Sequence, residues 1–264
     1  MPTVDLDAYV QRIRWTGPTT PTFDTLAGLI SAHTTHIPFE NLDVLLNRPI
    51  RLDLDSIQAK LVRANRGGYC YEHATLFAAV LEALGFQLTR HAARVILFGP
   101  PSEAPRSHMF LSVVIDPGTY IVDPGFGPFA PSFPVPLTTR DATQTHRMTR
   151  DGNQWTLLVP RDNQSVPGWV TTLEPERAID FEVANHYIAT HPQSMFTNAI
   201  MLSAATPEGR INIMNRNVTI RSGTQSTSRQ IADRTELRFL LDRHFGFDLP
   251  EVEQMKVTAI PEWK

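Results

Sequence analysis

The spacing of apolar residues changes from helical to alternating at Gly85, and that change limits what the chain can fold into. Before Gly85 the apolar positions recur at helical spacing; after it they alternate. Neither a uniform helical bundle nor a uniform sandwich satisfies both patterns. The expectation is therefore an α+β protein with helices over residues 1–86 and β-structure after them. Helices are expected at 5–13, at 24–34 and at 54–65, with Asp53 as N-cap of the last. The stretch from His36 to Asp43 between them is too irregular for a regular element. Beyond Gly85, strands are expected at 88–98, 108–115, 120–122, 146–149 and 155–159. A Pro-rich loop fills 99–107, and Asp116-Pro117-Gly118-Thr119 marks a turn. Short strands between Gly and Pro punctuation suggest a small antiparallel barrel or sandwich. Further on come a helix at 181–190 stopped by Pro192, strands at 210–213 and 218–220, and an amphipathic helix at 235–245 closed by Gly246. The polar segment 222–228 reads as a mobile loop.

Chemistry concentrates in Arg66-Gly67-Gly68-Tyr69-Cys70-Tyr71-Glu72, which carries the single cysteine of the chain. Two glycines permit a sharp turn. From Tyr71 onward Ala74, Phe77, Val80, Leu81 and Leu84 form a helical stripe, so Cys70 belongs at or next to a helix N-terminus. Unpaired N–H groups and the positive end of the helix dipole favour an anion there. A free thiol has a pKa of about 8.5, so roughly 3% is thiolate at pH 7. Making it a thiolate throughout needs roughly 4–5 kcal/mol, at about 1.4 per pKa unit. The dipole supplies at most about 2, so a cation is required, and a histidine is the natural one.

A chain of 264 residues can hold about two domains, with room for three small ones. Hydrophobic residues make up 42% and charged residues 19%, as in a soluble globular protein, and 21 prolines demand many turns. A net charge of −3 argues against nucleic acid as a partner. One cysteine excludes an intrachain disulfide and a multi-cysteine zinc site. The opening residues lack a signal-peptide pattern, and no apolar run reaches the roughly 20 residues needed to cross a bilayer. A cytoplasmic setting is expected, where a lone thiol stays free. No metal site is indicated, and Gly125 and Gly127 lack phosphate-loop spacing.

Of nine histidines, His108 is the best placed to serve Cys70, at the mouth of a strand after the Pro-rich loop. Asp123 is the best acceptor for it, ending the returning strand. With a two-residue turn at Pro117-Gly118, Asp123 pairs opposite Ser112, four residues from His108 or roughly 13 Å along a strand. A bulge, a bend or a longer turn must close that gap. Each residue also has a plain structural explanation. A lone cysteine is commonly a small buried hydrophobe, and His108 would serve as a strand-end surface residue. Asp123 before Pro-Gly would serve as a turn former, and Glu72 as a complement to the dipole. Phe39 and Phe126 would serve as core.

The Arg66–Glu72 stretch resembles the signature around the nucleophile of the arylamine N-acetyltransferases. Residues 36–43, His108 before an apolar strand, and Ile121-Val122-Asp123-Pro124-Gly125-Phe126-Gly127 match family motifs in order and spacing. The similarity covers nearly the whole chain. It implies a helical bundle over 1–86 carrying the nucleophile, a β-barrel over 87–185 carrying the histidine and aspartate, and a linking helix with an α/β lid over 186–264. The core would be a cysteine-protease-like triad of Cys70, His108 and Asp123. Phe39 and Phe126 would line the acceptor pocket, and Gly125 and Gly127 would border the coenzyme A site. Acetyl-CoA would be the acyl donor, with no permanently bound cofactor. Arylamines, arylhydrazines and N-hydroxyarylamines would be acceptors, a place in xenobiotic metabolism. The same triad would also suit an amide synthase or a thiol hydrolase, and an inert thiol on this scaffold would suit a binding protein. Two positions depart from the family pattern. Ala74 stands where relatives usually carry Asn, and Pro124 is not the commonest residue after the aspartate.

Overall fold

The computed structural model describes residues 3–138, 145–161, 164–223 and 225–263. Among the described residues, five α-helices precede the first strand. α1 (Leu6–Arg12) is capped by Asp5, whose carboxylate accepts the Ala8 N–H at 3.0 Å, and α2 (Phe23–His36) is capped by Thr22. The irregular 36–43 stretch ends in a short helix, α3 (Leu42–Leu45), which irregular polarity had hidden. Asp53 caps α4 (Leu54–Ile57) by accepting the Ser56 N–H at 2.9 Å, as expected. The expected 54–65 helix then changes character and runs on as a π-helical stretch, Gln58–Arg63. α5 (Cys70–Ala83) buries Ala74, Phe77, Val80 and Leu81, and Gly85 ends it at φ 84°.

Seven strands follow: β1 (Gln87–Val95), β2 (Arg106–Ile115), β3 (Gly118–Val122), β4 (Val135–Pro136), β5 (Arg147–Asp151), β6 (Gln154–Arg161) and β7 (Gln164–Thr171). They form one antiparallel sheet in the order β4-β3-β2-β1-β7-β6-β5. Its two outer strands touch, so the sheet is a nearly closed barrel. β1 stops three residues before the expected end at Phe98, and β7 was unforeseen because Pro167 and Gly168 interrupt its pattern. The β2–β3 turn also differs. Ile115 pairs with Gly118, so the two turn residues are Asp116 and Pro117 rather than Pro117 and Gly118.

After the barrel come α6 (Ala178–Thr190), which crosses residue 185, and α7 (Met195–Asn198). A second sheet of β8 (Met201–Thr206), β9 (Gly209–Met214), β10 (Asn217–Ser222) and β11 (Gln225–Gln230) runs in the order β11-β10-β9-β8. The expected loop at 222–228 is thus mostly the edge strand β11, with Thr224 outside the described residues. All six β11 residues are exposed, so no apolar alternation announced it. α8 (Arg234–Leu240) passes into a π-helical turn, Leu241–Phe245, ended by Gly246 at φ 80°.

One apolar cluster joins α2 and α5 to the face of β2 that points away from the barrel interior; a second fills the barrel around Phe110, Leu157 and Trp169; a third lies under the second sheet and α8. Phe39 ties these parts together. Its backbone exchanges hydrogen bonds with Ser203 at 2.8 and 2.9 Å and bridges Gly68 in parallel. The cysteine turn is therefore gripped between the helical part and the second sheet. No helix among the described residues is long and apolar enough to cross a membrane.

Candidate active site

Cys70 is the first residue of α5 and is 3% exposed. The turn before it is tightly packed. A Cβ on Gly67 would run into the Pro38 carbonyl, and one on Gly68 would sit 2.6 Å from Glu72 Oε2. Glu72 accepts the Tyr69 N–H at 3.1 Å, one half of a capping box. Its other oxygen accepts from Lys60 Nζ at 2.8 Å, and Lys60 also pairs with Asp43 at 2.9 Å. Arg66 pairs with Glu40 at 2.6 Å. Glu72 therefore does more than complement a dipole. Burial opposes the charge on Lys60, yet Glu72, Glu40 and Asp43 outweigh it and raise its pKa. The Tyr69 hydroxyl donates to Asn185 of α6. Ala74 is fully buried in apolar packing, so this network holds the turn without an amide at that position.

His108 is the third residue of β2, opposite Ala93, and is buried rather than placed at the strand mouth. The β2–β3 turn is no longer than expected but falls one residue earlier, and this shifts the register. Leu111 pairs with Val122, which sets Asp123 level with Phe110, two residues from His108 instead of four. His108 Nε2 and Asp123 Oδ2 are 2.7 Å apart, and Asp123 is fully buried. The other ring nitrogen is left for Cys70, whose side chain is a hydrogen-bond and charge partner of the same imidazole. The sulfur also lies 3.9 Å from the Ser107 carbonyl oxygen. Burial works against a charged His108, but Asp123 and then Cys70 overcome it and raise the ring's pKa to about 10. The imidazole is thus a cation at neutral pH, beside a thiol at a helix N-terminus.

Trp169 of β7 is the residue that sequence reasoning missed. Its indole N–H donates to Asp123 Oδ2 at 2.9 Å, the oxygen already bound by His108. Asp123 Oδ1 is buried and takes no hydrogen bond among the described residues. Trp169 stacks on Phe110 with centroids 4.3 Å apart, which fixes the indole. A tryptophan beside glycine in an alternating stretch signals a buried strand, but nothing in the sequence names the partner of its N–H.

His73, one helical turn from Cys70, is not available to it. His73 Nε2–H donates to the Pro38 carbonyl at 3.1 Å. That leaves Nδ1 to accept from His33 Nε2 at 2.8 Å, and His33 Nδ1 accepts from the Tyr9 hydroxyl at 2.8 Å. Burial lowers the pKa of His73 to about 4 and that of His33 well below its ordinary value. Both stay neutral.

A cleft of about 450 Å³ opens onto Cys70 and His108. Phe39 and Phe126 both line it, with Phe129, Phe196, Met195 and Met201, so its walls are largely apolar. The Phe126 ring lies 4.9 Å from the His108 ring, centre to centre. Gly125 and Gly127 also face the cleft. A Cβ on Gly125 would fall 2.5 Å from Cys70 Cα, so the loop after Asp123 presses against the cysteine backbone. Gly127 adopts φ 58° and packs on the Phe39 ring.

The chain is similar to known proteins over most of its length. The N-acetyltransferase family model matches residues 22–254. The arylamine N-acetyltransferase of Mycolicibacterium smegmatis is 37% identical over 267 aligned positions, covering 97% of this chain and 96% of the relative. That of Escherichia coli strain K12 is 33% identical, covering 94% of this chain and 90% of the relative. Among solved structures, the Mycobacterium marinum arylamine N-acetyltransferase in complex with CoA superposes with a TM-score of 0.88 at 34% identity, over 94% of each chain.

Proposed function

This chain belongs to the arylamine N-acetyltransferase family of acyltransferases, and on that premise we propose that it moves an acetyl group from acetyl-CoA to an aromatic amine, hydrazine or N-hydroxyarylamine through an acetyl-cysteine. The observation that carries this reading is His108 held between Asp123 and Cys70 at the floor of an apolar cleft. The Cys70 thiolate, paired with His108 as imidazolium, attacks the thioester carbonyl of acetyl-CoA. A carbon–sulfur bond to Cys70 forms, the bond to the CoA sulfur breaks, and CoA departs with the proton from His108. Backbone N–H groups at the start of α5 would hold the developing oxyanion. The amine nitrogen then attacks the acetyl carbon. His108 takes the proton that the nitrogen sheds, and Cys70 leaves as thiolate. Asp123 holds the ring and stabilises its charge without taking the proton. Aromatic and methionine walls suit a flat, weakly polar acceptor.

Ping-pong kinetics follow from the shared acyl-enzyme. The test is mass spectrometry of the protein mixed with acetyl-CoA alone. Addition of one acetyl group at Cys70, discharged by an arylamine, is the expected result. A Cys70→Ala variant that acetylates an arylamine at the unaltered rate would overturn it. Release of free acetate with no amine present would redirect the assignment to a thiol hydrolase.

A further inference from the structure

A second groove, of about 850 Å³, lies away from the thiol, where α1, the C-terminal end of α2, the π-helical end of α4, the β8–β9 turn and the end of the α8 segment meet. It shares no lining residue with the cleft over Cys70. Arg12, Arg14, Arg63, Arg243, His36 and His244 face it, its lining contains no Asp or Glu among the described residues, and Glu208 at its edge acts on His244. In a chain with net charge −3 this is a local excess of positive charge.

Elsewhere some arginines are ion-paired, while others, such as Arg150 and Arg234, bond main-chain carbonyls and lie over a tryptophan ring. Arg48, Arg51, Arg90, Arg106, Arg216, Arg229 and Arg238 each pair with a carboxylate. None of the four groove arginines does so among the described residues. Arg12 spends its donors on main-chain carbonyls: His36 at 2.5 Å, Leu61 at 2.9 Å and Asn65 at 3.1 Å. These bonds hold the guanidinium in place and leave its charge uncompensated. Arg63 likewise reaches only the Asp55 carbonyl, at 3.2 Å. Arg14 and Arg243 are exposed and make no side-chain bond among the described residues. The mutual strain is visible in their chemistry. Burial and then Arg14 lower the Arg12 pKa to about 10, and burial and then Arg243 lower that of His244.

We propose that this groove is a binding site for a multivalent phosphate-bearing anion of nucleotide size, clamped by Arg14, Arg63 and Arg243 and independent of the acyl-transfer cleft. The guanidinium fork matches phosphate oxygens two at a time, and several such forks around one concavity favour a chain of phosphates over a single one. The volume suits a ligand of that size.

The test is titration calorimetry of the intact protein with sodium tripolyphosphate and, separately, with ATP, at about 50 mM salt where screening is weak. Saturable binding is expected, weakening as salt rises to about 300 mM. Arg14→Glu and Arg243→Glu should each weaken it at least about fivefold, with acetyl transfer unchanged. Lys256→Glu, an equal change of charge outside the groove, should leave it within about twofold. ATP binding more tightly than tripolyphosphate identifies a nucleoside polyphosphate; equal affinities identify a free polyphosphate. Absence of binding by both probes at low salt overturns the proposal. So does an equal loss in the Lys256 variant, which would mark general electrostatic attraction.

Discussion

Trp169 donates its indole N–H to Asp123 Oδ2 at 2.9 Å, the oxygen that also holds His108. The carboxylate is therefore fixed from two sides, while its second oxygen is bonded by nothing among the described residues. Trp169→Phe keeps a ring against Phe110 and removes the donor. The expected loss is about 1.5–3 kcal/mol of stability, the range for a bond to a charged group. Acetyl transfer should fall on the order of tenfold, because a carboxylate free to rotate no longer sets the imidazole. Urea denaturation and single-turnover acetylation of the variant measure both.

His108 makes stability depend on alkaline pH. Its pKa is about 10 in the folded protein, against about 6.5 in an unfolded chain. The stabilisation is therefore fully present below about pH 6.5, erodes above it, and is lost as pH rises through about 10. The total is on the order of 3–5 kcal/mol. Denaturation midpoints of the unaltered protein and of His108→Gln should converge as pH approaches about 10, with the variant showing the flatter profile.

The buried Tyr9–His33–His73 chain acts in the opposite direction. Both rings are neutral in the folded state, with His73 at about 4, whereas each takes up a proton below about 6.5 once unfolded. Stability should fall as pH drops below about 6.5, by up to about 1.4 kcal/mol per pH unit for each ring. His73→Gln keeps a donor for the Pro38 carbonyl and removes one titrating group. Its stability should lie below that of the unaltered protein at pH 7, but its slope between about pH 6 and pH 5 should be shallower by close to one proton.

Gly125 tests the seating of the Asp123 loop on the cysteine. A methyl group there meets main-chain atoms of Cys70, Cα at 2.5 Å and the carbonyl oxygen at 2.9 Å, which cannot swing aside as a side chain would. Gly125→Ala should cost about 1–3 kcal/mol of stability by overpacking. It should slow Cys70 alkylation at neutral pH and reduce acetyl transfer by roughly a hundredfold, as His108 and the sulfur separate. Iodoacetamide trapping and steady-state rates check it.

Local features of the site were readable before any coordinates. Cys70 at a helix start, Asp53 as a cap and Gly85 as a stop depend on a few neighbouring residues. The meeting of His108 with Asp123 depended on the turn, and there the reading was out by two residues. Pro-Gly looked like the turn pair, while the chain turns at Asp116-Pro117 and pairs Ile115 with Gly118. That shift halved the gap for which a bulge had been invoked. β11 was invisible because an edge strand exposed on both faces needs no apolar period. The Trp169 bond and the Lys60–Glu72 pair were out of reach for a different reason. Charge and donor groups reveal their partners only once the chain has brought distant segments together.

The sulfur lies at the start of α5, and its imidazole comes from the next strand but one, past the Pro-rich loop. Neither the helical segment alone nor a nascent chain ending before β2 would possess a sensitised thiol. Chemical hazard is thereby withheld from immature or broken copies: the warhead is armed by assembly, and the speed with which a mild electrophile labels it doubles as a gauge of how many molecules have finished folding.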